Sequence, residues 1–262
     1  FSKKDKQHCG FLYLRSLRTG SRALSLEHGS LLDIILRLKE IRPQMWEATI
    51  ATLAGFDVAS DPELGISGVL ESINTSLKKY EELGAHIVEV SVPDHDRLSD
   101  LAGVVMGSEA ATLHGKWIRE RPGDYSDQVL ARIQPGLAYP STHYLRALQI
   151  RPEITNRFVE DVLGECDVFH APVLSFPTPT IAESDLGASQ GFEDYLSRMS
   201  YCTRTINYLG LPSITVPAGF TSNGLPSSFQ LVGRPFNEGL LFQFAAAFQS
   251  VTDWHKQTPS LD

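Results

Sequence analysis

Apolar and polar positions alternate in two short stretches near the carboxyl end of the chain. Ser213–Val216 and Phe229–Val232 are rich in β-branched and aromatic residues, which favour strands. Thr221–Gly224 lies between them, and its Asn-Gly pair tolerates the positive φ angles of a tight turn. The pattern predicts a β-hairpin. A helix capped by Asn237 is predicted next, from apolar positions at helical spacing: Leu240, Leu241, Phe244, Ala245 and Phe248.

The middle of the chain alternates between helical and strand patterns. A helical face over 66–80 ends at Gly84, and a β-branched strand follows at Ile87–Val92. Further helical spacing and one apolar strand predict helices over 101–119, 125–133, 141–150 and 154–163, a strand over 167–173 and a long loop over 177–192. This alternation predicts an α/β fold, with a mixed β-sheet flanked by helices. Asn207–Pro212 is predicted to form the turn before the hairpin.

The first sixty residues are harder to interpret. Apolar spacing predicts a helix that is stopped by Pro43, and Trp46, Ile50, Leu53 and Ala54 predict a second helix that ends at Gly55. Residues 1–47 carry nine Lys or Arg and five Asp or Glu, while the whole chain has a net charge of −8. We therefore expect residues 1–60 to be a separate, partly helical segment and residues 61–262 to form the main domain.

Composition excludes several classes of protein. A net charge of −8 argues against nucleic acid as a direct partner, and no apolar run approaches the roughly 20 residues that cross a bilayer. Three cysteines without close pairing suggest a reducing compartment, and we expect a cytoplasmic protein. The chain begins at Phe1 without a signal-peptide pattern, which we interpret as a fragment or a processed product.

Candidate chemistry is sparse in the sequence. The eight histidines show no His-x-x-x-His spacing and there is no Cys-x-x-Cys pair, so we expect no metal and no cofactor. Asp94-His95-Asp96 would offer metal ligands, but a solvated turn is the favoured interpretation. Ser227-Ser228 is an adjacent serine pair, and a locally satisfied pair at a strand edge is favoured over a nucleophile. Cys202 is interpreted as a small buried apolar residue.

The carboxyl-terminal pattern resembles the amidase signature family. The resemblance spans about residues 63–259 and is carried most strongly by Asn207, Leu209–Pro212, Val216–Phe220, Gly224–Pro226, Gln230–Phe236, Glu238 and Trp254-His255. Members of that family hydrolyse carbon–nitrogen bonds of amides, and they include small-molecule amidases and the amidase subunit of glutamyl-tRNA amidotransferase. The resemblance implies an α/β fold and makes residues 61–262 the carboxyl-terminal part of an amidase signature domain.

The family's catalytic residues are not recognised in this sequence. The resemblance implies a serine nucleophile in a Gly/Ser-rich loop, a second serine and a lysine base, and none of these has a counterpart here. No catalytic residue is therefore assigned, and we expect the 262 residues alone to be inactive. Three functions remain open: an amidase of small carboxamides, a non-catalytic binding or oligomerisation module, and a subunit of a tRNA-dependent amidotransferase.

Three residues are candidates for substrate binding through the resemblance. Tyr144 and Arg151 belong to a helix that corresponds to one lining the acyl pocket, and Arg151 would bind a substrate carboxylate. A rim aromatic and a surface arginine near a helix end are the alternative interpretations. Asn207 is expected to fix a turn through its side chain. The missing family strands also predict an exposed sheet edge, and hence a homodimer or another association through that edge.

Overall fold

The computed structural model describes residues 48–53, 67–176, 178–187, 191–221 and 224–258. All of them lie in Pro43–Asp262, the second of the two units into which the chain divides. One sheet is formed by β1 (Thr49–Leu53), β2 (His86–Val90), β3 (Val168–Pro172), β4 (Ser213–Phe220) and β5 (Pro226–Val232). The strand order is β2-β1-β3-β5-β4. β2, β1 and β3 are parallel, while β5 is antiparallel to both of its neighbours, so the predicted mixed sheet is confirmed.

Helices cover both faces of this sheet. They are α1 (Ser67–Glu82), α2 (His95–Glu120), α3 (Asp127–Ile133), α4 (Ser141–Phe158), α5 (Ile181–Ser184), α6 (Phe192–Met199), α7 (Tyr201–Leu209) and α8 (Glu238–Ser250). Three 3₁₀ turns, Pro122–Asp124, Gln134–Leu137 and Trp254–Lys256, and a π-helical turn, Val159–Leu163, complete the described part. The α/β architecture that the sequence predicts, a mixed sheet flanked by helices, is present.

Two apolar clusters show how the layers are arranged. One joins α1 and α8 to the sheet through Tyr80, Phe229 and Phe248, all of which are fully buried. The other lies on the opposite face and joins α2, α4 and α7 to the sheet through residues such as Leu98, Phe158 and Ile206. Neighbouring residues of β3 belong to different clusters, Val168 to the first and Phe169 to the second. β3 is therefore buried on both faces, which explains its nearly continuous apolar sequence.

The predicted helix around Ile50 and Leu53 is wrong. Thr49–Leu53 is a strand that lies between β2 and β3 near the middle of the described sheet. Ile50 packs in one cluster and its neighbour Ala51 in the other, so burial on both faces removes the alternation that usually identifies a strand. A short apolar run of this kind fits a buried helix equally well, and for this reason the pattern predicts a helix where the structure has a strand.

The predicted β-hairpin is confirmed, since β4 and β5 pair antiparallel from Ser213 opposite Val232 to Phe220 opposite Pro226. Asn237 lies at the N-cap position of α8, but its side chain makes no capping hydrogen bond. α4 continues through Pro152, which lies between the helices predicted over 141–150 and 154–163. Ala147 and Phe158, three turns apart on one face, are both buried and hold the helix continuous across the proline.

The long middle helix begins earlier than the sequence predicts, at His95 instead of Leu101. Asp94 precedes it with a φ of 53°, and the His95 ring stacks on Tyr201 with a centroid distance of 4.0 Å. The expected solvated turn at Asp94-His95-Asp96 is therefore a helix start that is fixed by α7. None of the helices that the structure describes combines the length and apolar content needed to cross a membrane.

Candidate functional site

A close approach of two backbones forms the floor of a cleft. Gly107, Ala111 and Gly115 recur every fourth residue on one buried face of α2. The 3₁₀ turn Gln134–Leu137 lies against this face, and a Cβ atom on Gly136 would overlap the carbonyl oxygen of Gly107. Only glycine at position 136 permits this contact, because any side chain would push the turn away from α2.

The cleft lies between α2, the 3₁₀ turn and the first turn of α4. Its volume is about 820 Å³, and its lining is Ser108, Glu109, Ala111, Thr112, Leu113, Gly115, Arg119, Gly136, Leu137, Tyr139, Ser141 and Tyr144. Leu113 remains 68% exposed and Leu137 44% exposed, so the middle of the cleft offers apolar surface to a ligand. The structure thus places Tyr144, one of the sequence candidates, in a concave site.

Tyr144 and Glu109 form one end of this cleft. The Tyr144 hydroxyl donates a hydrogen bond to Glu109 Oε1 over 3.2 Å. Loss of solvent around the phenol, together with this bond and the negative charge of Glu109, raises the pKa of Tyr144. The phenol therefore stays protonated at neutral pH and acts as a donor, which fixes one oxygen of the carboxylate and leaves the other open.

Arg119 forms the other end. Its Nη1 atom would lie 3.6 Å from a Cβ atom on Gly115, so the guanidinium folds back over α2 beside Leu137. Gly115 is six residues from Glu109, or about 9 Å along the helix axis. The cleft therefore has an acidic end and a basic end, separated by apolar side chains.

Arg151 lies outside this cleft. Its guanidinium packs against Gly210, which ends α7 with a φ of 70°, and a Cβ atom there would overlap Nη2. Burial raises the pKa of the nearby Tyr208, and the positive charges of Arg151 and Arg97 act in the opposite direction. Among the described residues, no carboxylate lies within ion-pair distance of Arg151.

Asn207 lies in the last turn of α7, and its side chain is exposed. The predicted turn over Asn207–Pro212 therefore begins only at Gly210, whose amide donates to the carbonyl oxygens of Ile206 (3.0 Å) and Asn207 (3.2 Å). Backbone hydrogen bonds close this turn, in place of the expected Asn207 side chain. Arg151 and Asn207 therefore both adjoin Gly210, while Tyr144 lies two turns away from Arg151 on α4.

Glu109 and Arg119 line the cleft but are not among the site residues that the sequence predicts. The signal that would have found them is the four-residue spacing of Gly107, Ala111 and Gly115, which predicts a close helix contact. A cleft opens where that contact ends, and the polar residues flanking the small ones line it.

A family model described as Amidase matches residues 39–242, which include every element that forms the cleft. The chain belongs to the amidase family. A glutamyl-tRNA(Gln) amidotransferase subunit from Paraburkholderia xenovorans is 32% identical over 239 residues, covering 79% of this chain and 47% of that protein. The protein of the same name from Chromobacterium violaceum is 29% identical, covering 80% and 48% respectively. The chain spans about half the length of these curated relatives.

Solved structures agree with this assignment. The corresponding glutamyl-tRNA(Gln) amidotransferase subunit from Thermotoga maritima superposes with a TM-score of 0.62 at 26% identity, covering 81% of this chain and 44% of that one. A crystal structure of an amidase superposes with a TM-score of 0.64 at 21% identity, covering 78% and 45%. At 21% identity, the similarity to the amidase structure shows a shared fold alone.

Ser227, Ser228 and Cys202 of this amidase-family chain lie in a strand or in a buried helix contact. Ser227 and Ser228 lie inside β5, opposite Gly219 and Pro217 of β4. The Cys202 carbonyl accepts a hydrogen bond from Gln230 Nε2 over 2.9 Å, and burial raises the pKa of the Cys202 thiol to about 12. Such a thiol stays protonated and is a poor nucleophile at neutral pH.

Proposed function

We propose that this chain forms the substrate-binding side of an amidase-family hydrolase that cleaves carbon–nitrogen bonds in small carboxamides. One observation carries the proposal: the amidase match covers both α2 and α4, and these helices form the cleft that Tyr144 lines. A carboxamide would place its acyl portion against Leu113 and Leu137, where apolar surface is exposed.

The chemical step requires groups that this sequence does not contain in recognisable form. Hydrolysis needs a nucleophile, a base that activates it, and donors for the oxyanion. Loss of the nucleophile alone lowers kcat by about 10⁶ in a serine protease. We therefore propose that the 262 residues bind amides without hydrolysing them.

Two measurements test this proposal on the purified 262-residue chain. The first is ammonia release from aliphatic, aryl and aminoacyl amides, and no turnover above the buffer rate is expected. The second is a titration with pentanamide followed by NMR, in which shifts confined to residues of the cleft are expected. Genuine turnover by these 262 residues would reject the proposed inactivity. Absence of pentanamide binding at the cleft would reject the substrate-binding role.

Arg151 and Asn207 lie outside the cleft, and we propose them as a separate binding site for carboxamides that carry a carboxylate. Support comes from the half-buried position of the Arg151 guanidinium and from its lack of a carboxylate partner in the described part of the chain. A guanidinium binds a carboxylate through two parallel hydrogen bonds, which gives both affinity and orientation.

A second candidate function is a subunit of a tRNA-dependent amidotransferase. The observation that favours it is the name shared by the curated relatives, which are glutamyl-tRNA(Gln) amidotransferase subunits. Such a subunit would act with partner proteins, and the net charge of −8 makes direct contact with the tRNA backbone unfavourable. Purification of the native protein from cytoplasmic extract, followed by mass spectrometry, distinguishes a stable complex from an independent amidase.

A third candidate is a non-catalytic module that associates through a sheet edge. β2 is an edge strand of the described sheet, and Val88 on it is 42% exposed. The opposite edge strand, β4, is interrupted by Pro217 and by a register shift between Pro217 and Gly219, which hinder pairing. We propose that β2 is the edge used in a homodimer. Light scattering should show a dimer that Val88→Lys converts to a monomer; a wild-type monomer at all concentrations would reject this role.

A further inference from the structure

The acidic end of the cleft carries a carboxylate that no cation of the described residues neutralises. Within the described ranges, no Lys, Arg or His lies within ion-pair distance of the Glu109 carboxylate. Its neighbour is the Tyr144 hydroxyl, a neutral donor that occupies Oε1. A carboxylate can accept several hydrogen bonds through its two oxygens, so Oε2 retains its capacity to accept.

A second polar group at this end also lacks a partner. The Ser108 hydroxyl is buried and makes no hydrogen bond within the described part of the chain. Buried polar groups are usually hydrogen-bonded, and unsatisfied ones concentrate where a ligand or water completes the arrangement. Ser108 and Glu109 are adjacent in α2, and both line the cleft.

The opposite end of the cleft would repel a cation. The Arg119 guanidinium lies beside Gly115, about six residues along α2 from Glu109, and Leu113 separates the two ends. A ligand with one positively charged end is therefore held in a single orientation, with that end at Glu109. A neutral ligand has no such preference.

We propose that the cleft selects carboxamides that carry a primary ammonium group on an unbranched chain, with the ammonium bound by Glu109 and the methylenes against Leu113 and Leu137. This inference rests on the proposed function for the location of the substrate and adds its chemical class. The Glu109 side chain is exposed, and an ion pair at an exposed site corresponds to a gain in affinity of up to about fivefold.

The test compares two probes that differ in one group, 5-aminopentanamide and pentanamide, by calorimetric titration of the whole 262-residue chain. We expect 5-aminopentanamide to bind up to about fivefold more tightly. Glu109→Gln should remove this difference, so that the two probes bind this variant equally. Arg119→Gln should keep the preference for 5-aminopentanamide, because it removes a charge that repels the ammonium group.

Matched controls use exposed residues of α1 on the other face of the sheet, Glu71→Gln and Lys78→Gln, which should change neither affinity. Equal affinity of the two probes for the wild-type chain would overturn the inference, and so would a difference that survives Glu109→Gln. In both cases, pentanamide binding at the cleft would leave the proposed function standing. Failure of both probes to bind would reject the inference and the substrate-binding role together.

Discussion

The two faces of the sheet differ in how their helices pack. On the α1 and α8 face, Tyr80, Phe229 and Phe248 are completely buried and meet edge to face or tilted, with centroid distances between 5.0 and 6.0 Å. On the α2 and α4 face, glycines hold two backbones together and leave a cleft of about 820 Å³ with exposed Leu113. The first arrangement stabilises the fold, while on the second face a buried apolar cluster stabilises the fold and the cleft beside it leaves surface and charge for a ligand. Mutations should therefore separate stability from binding according to the face they change.

Phe229→Ala should have the largest effect, and on stability. The Phe229 ring stacks on His170 at 4.5 Å and meets Phe248 at 5.0 Å and Tyr80 at 6.0 Å. Removing a fully buried phenylalanine costs about 3–5 kcal/mol, because a cavity remains. Urea unfolding measures the loss, and Phe236→Ala, at a side chain that is 90% exposed, should change stability by less than about 0.5 kcal/mol. Similar losses for both variants would contradict the described packing.

His170 should make the packed face sensitive to acid. The Ser76 hydroxyl donates its hydrogen to the Ile73 carbonyl over 2.7 Å, so it accepts from His170 Nε2 over 2.9 Å. His170 Nδ1 then carries no hydrogen, and within the described residues it has no partner. Burial lowers the pKa of His170 to about 3. Since the unfolded chain binds this proton near pH 6.5, stability is complete above pH 6.5 and declines as the pH falls towards 3.

The expected decline is about 1.4 kcal/mol for each pH unit below 6.5, or about 2.5 kcal/mol between pH 7 and pH 4.5. His170→Leu should flatten this dependence, because leucine does not titrate. His143→Gln changes an exposed histidine and should leave the wild-type slope intact. An unchanged slope in His170→Leu would show that other groups cause the acid sensitivity.

Gly136→Ala should lower both stability and binding, since it reshapes the cleft through the backbone. The added Cβ atom would overlap the Gly107 carbonyl oxygen and force the 3₁₀ turn away from α2. Overpacking of this kind costs about 1–3 kcal/mol, and the reshaped cleft should bind pentanamide more weakly. Gly123→Ala is the control, because no atom lies within 4 Å of its added Cβ. Equal behaviour of the two variants would remove the structural basis of the cleft.

The sequence predicts the β4–β5 hairpin better than it predicts β1 or the cleft. The β4–β5 hairpin follows from local turn chemistry and β-branched residues, which need no knowledge of the rest of the fold. β1 could not be recognised, because Ile50 and Ala51 are buried on opposite faces and the alternation disappears. Glu109 and Tyr144 lie 35 residues apart and meet only because Gly136 lets the turn between them approach α2. This pairing depends on tertiary packing, and the small-residue spacing of α2 is the trace that the contact leaves in the sequence.

Arg151→Gln should have the smallest effect on stability and a clear effect on binding. The guanidinium is half-buried against Gly210, and no ion pair with a described residue would be lost, so the free energy of unfolding should change by less than about 0.5 kcal/mol. Affinity for succinamate, which carries a carboxylate, should fall about tenfold, while affinity for butanamide should not change. Arg157→Gln, which removes an exposed guanidinium 3.8 Å from Glu153, is the matched control and should alter neither affinity. If Arg151→Gln lowers stability by more than about 1 kcal/mol and leaves succinamate binding unchanged, Arg151 caps the end of α7 and belongs with the stabilising residues.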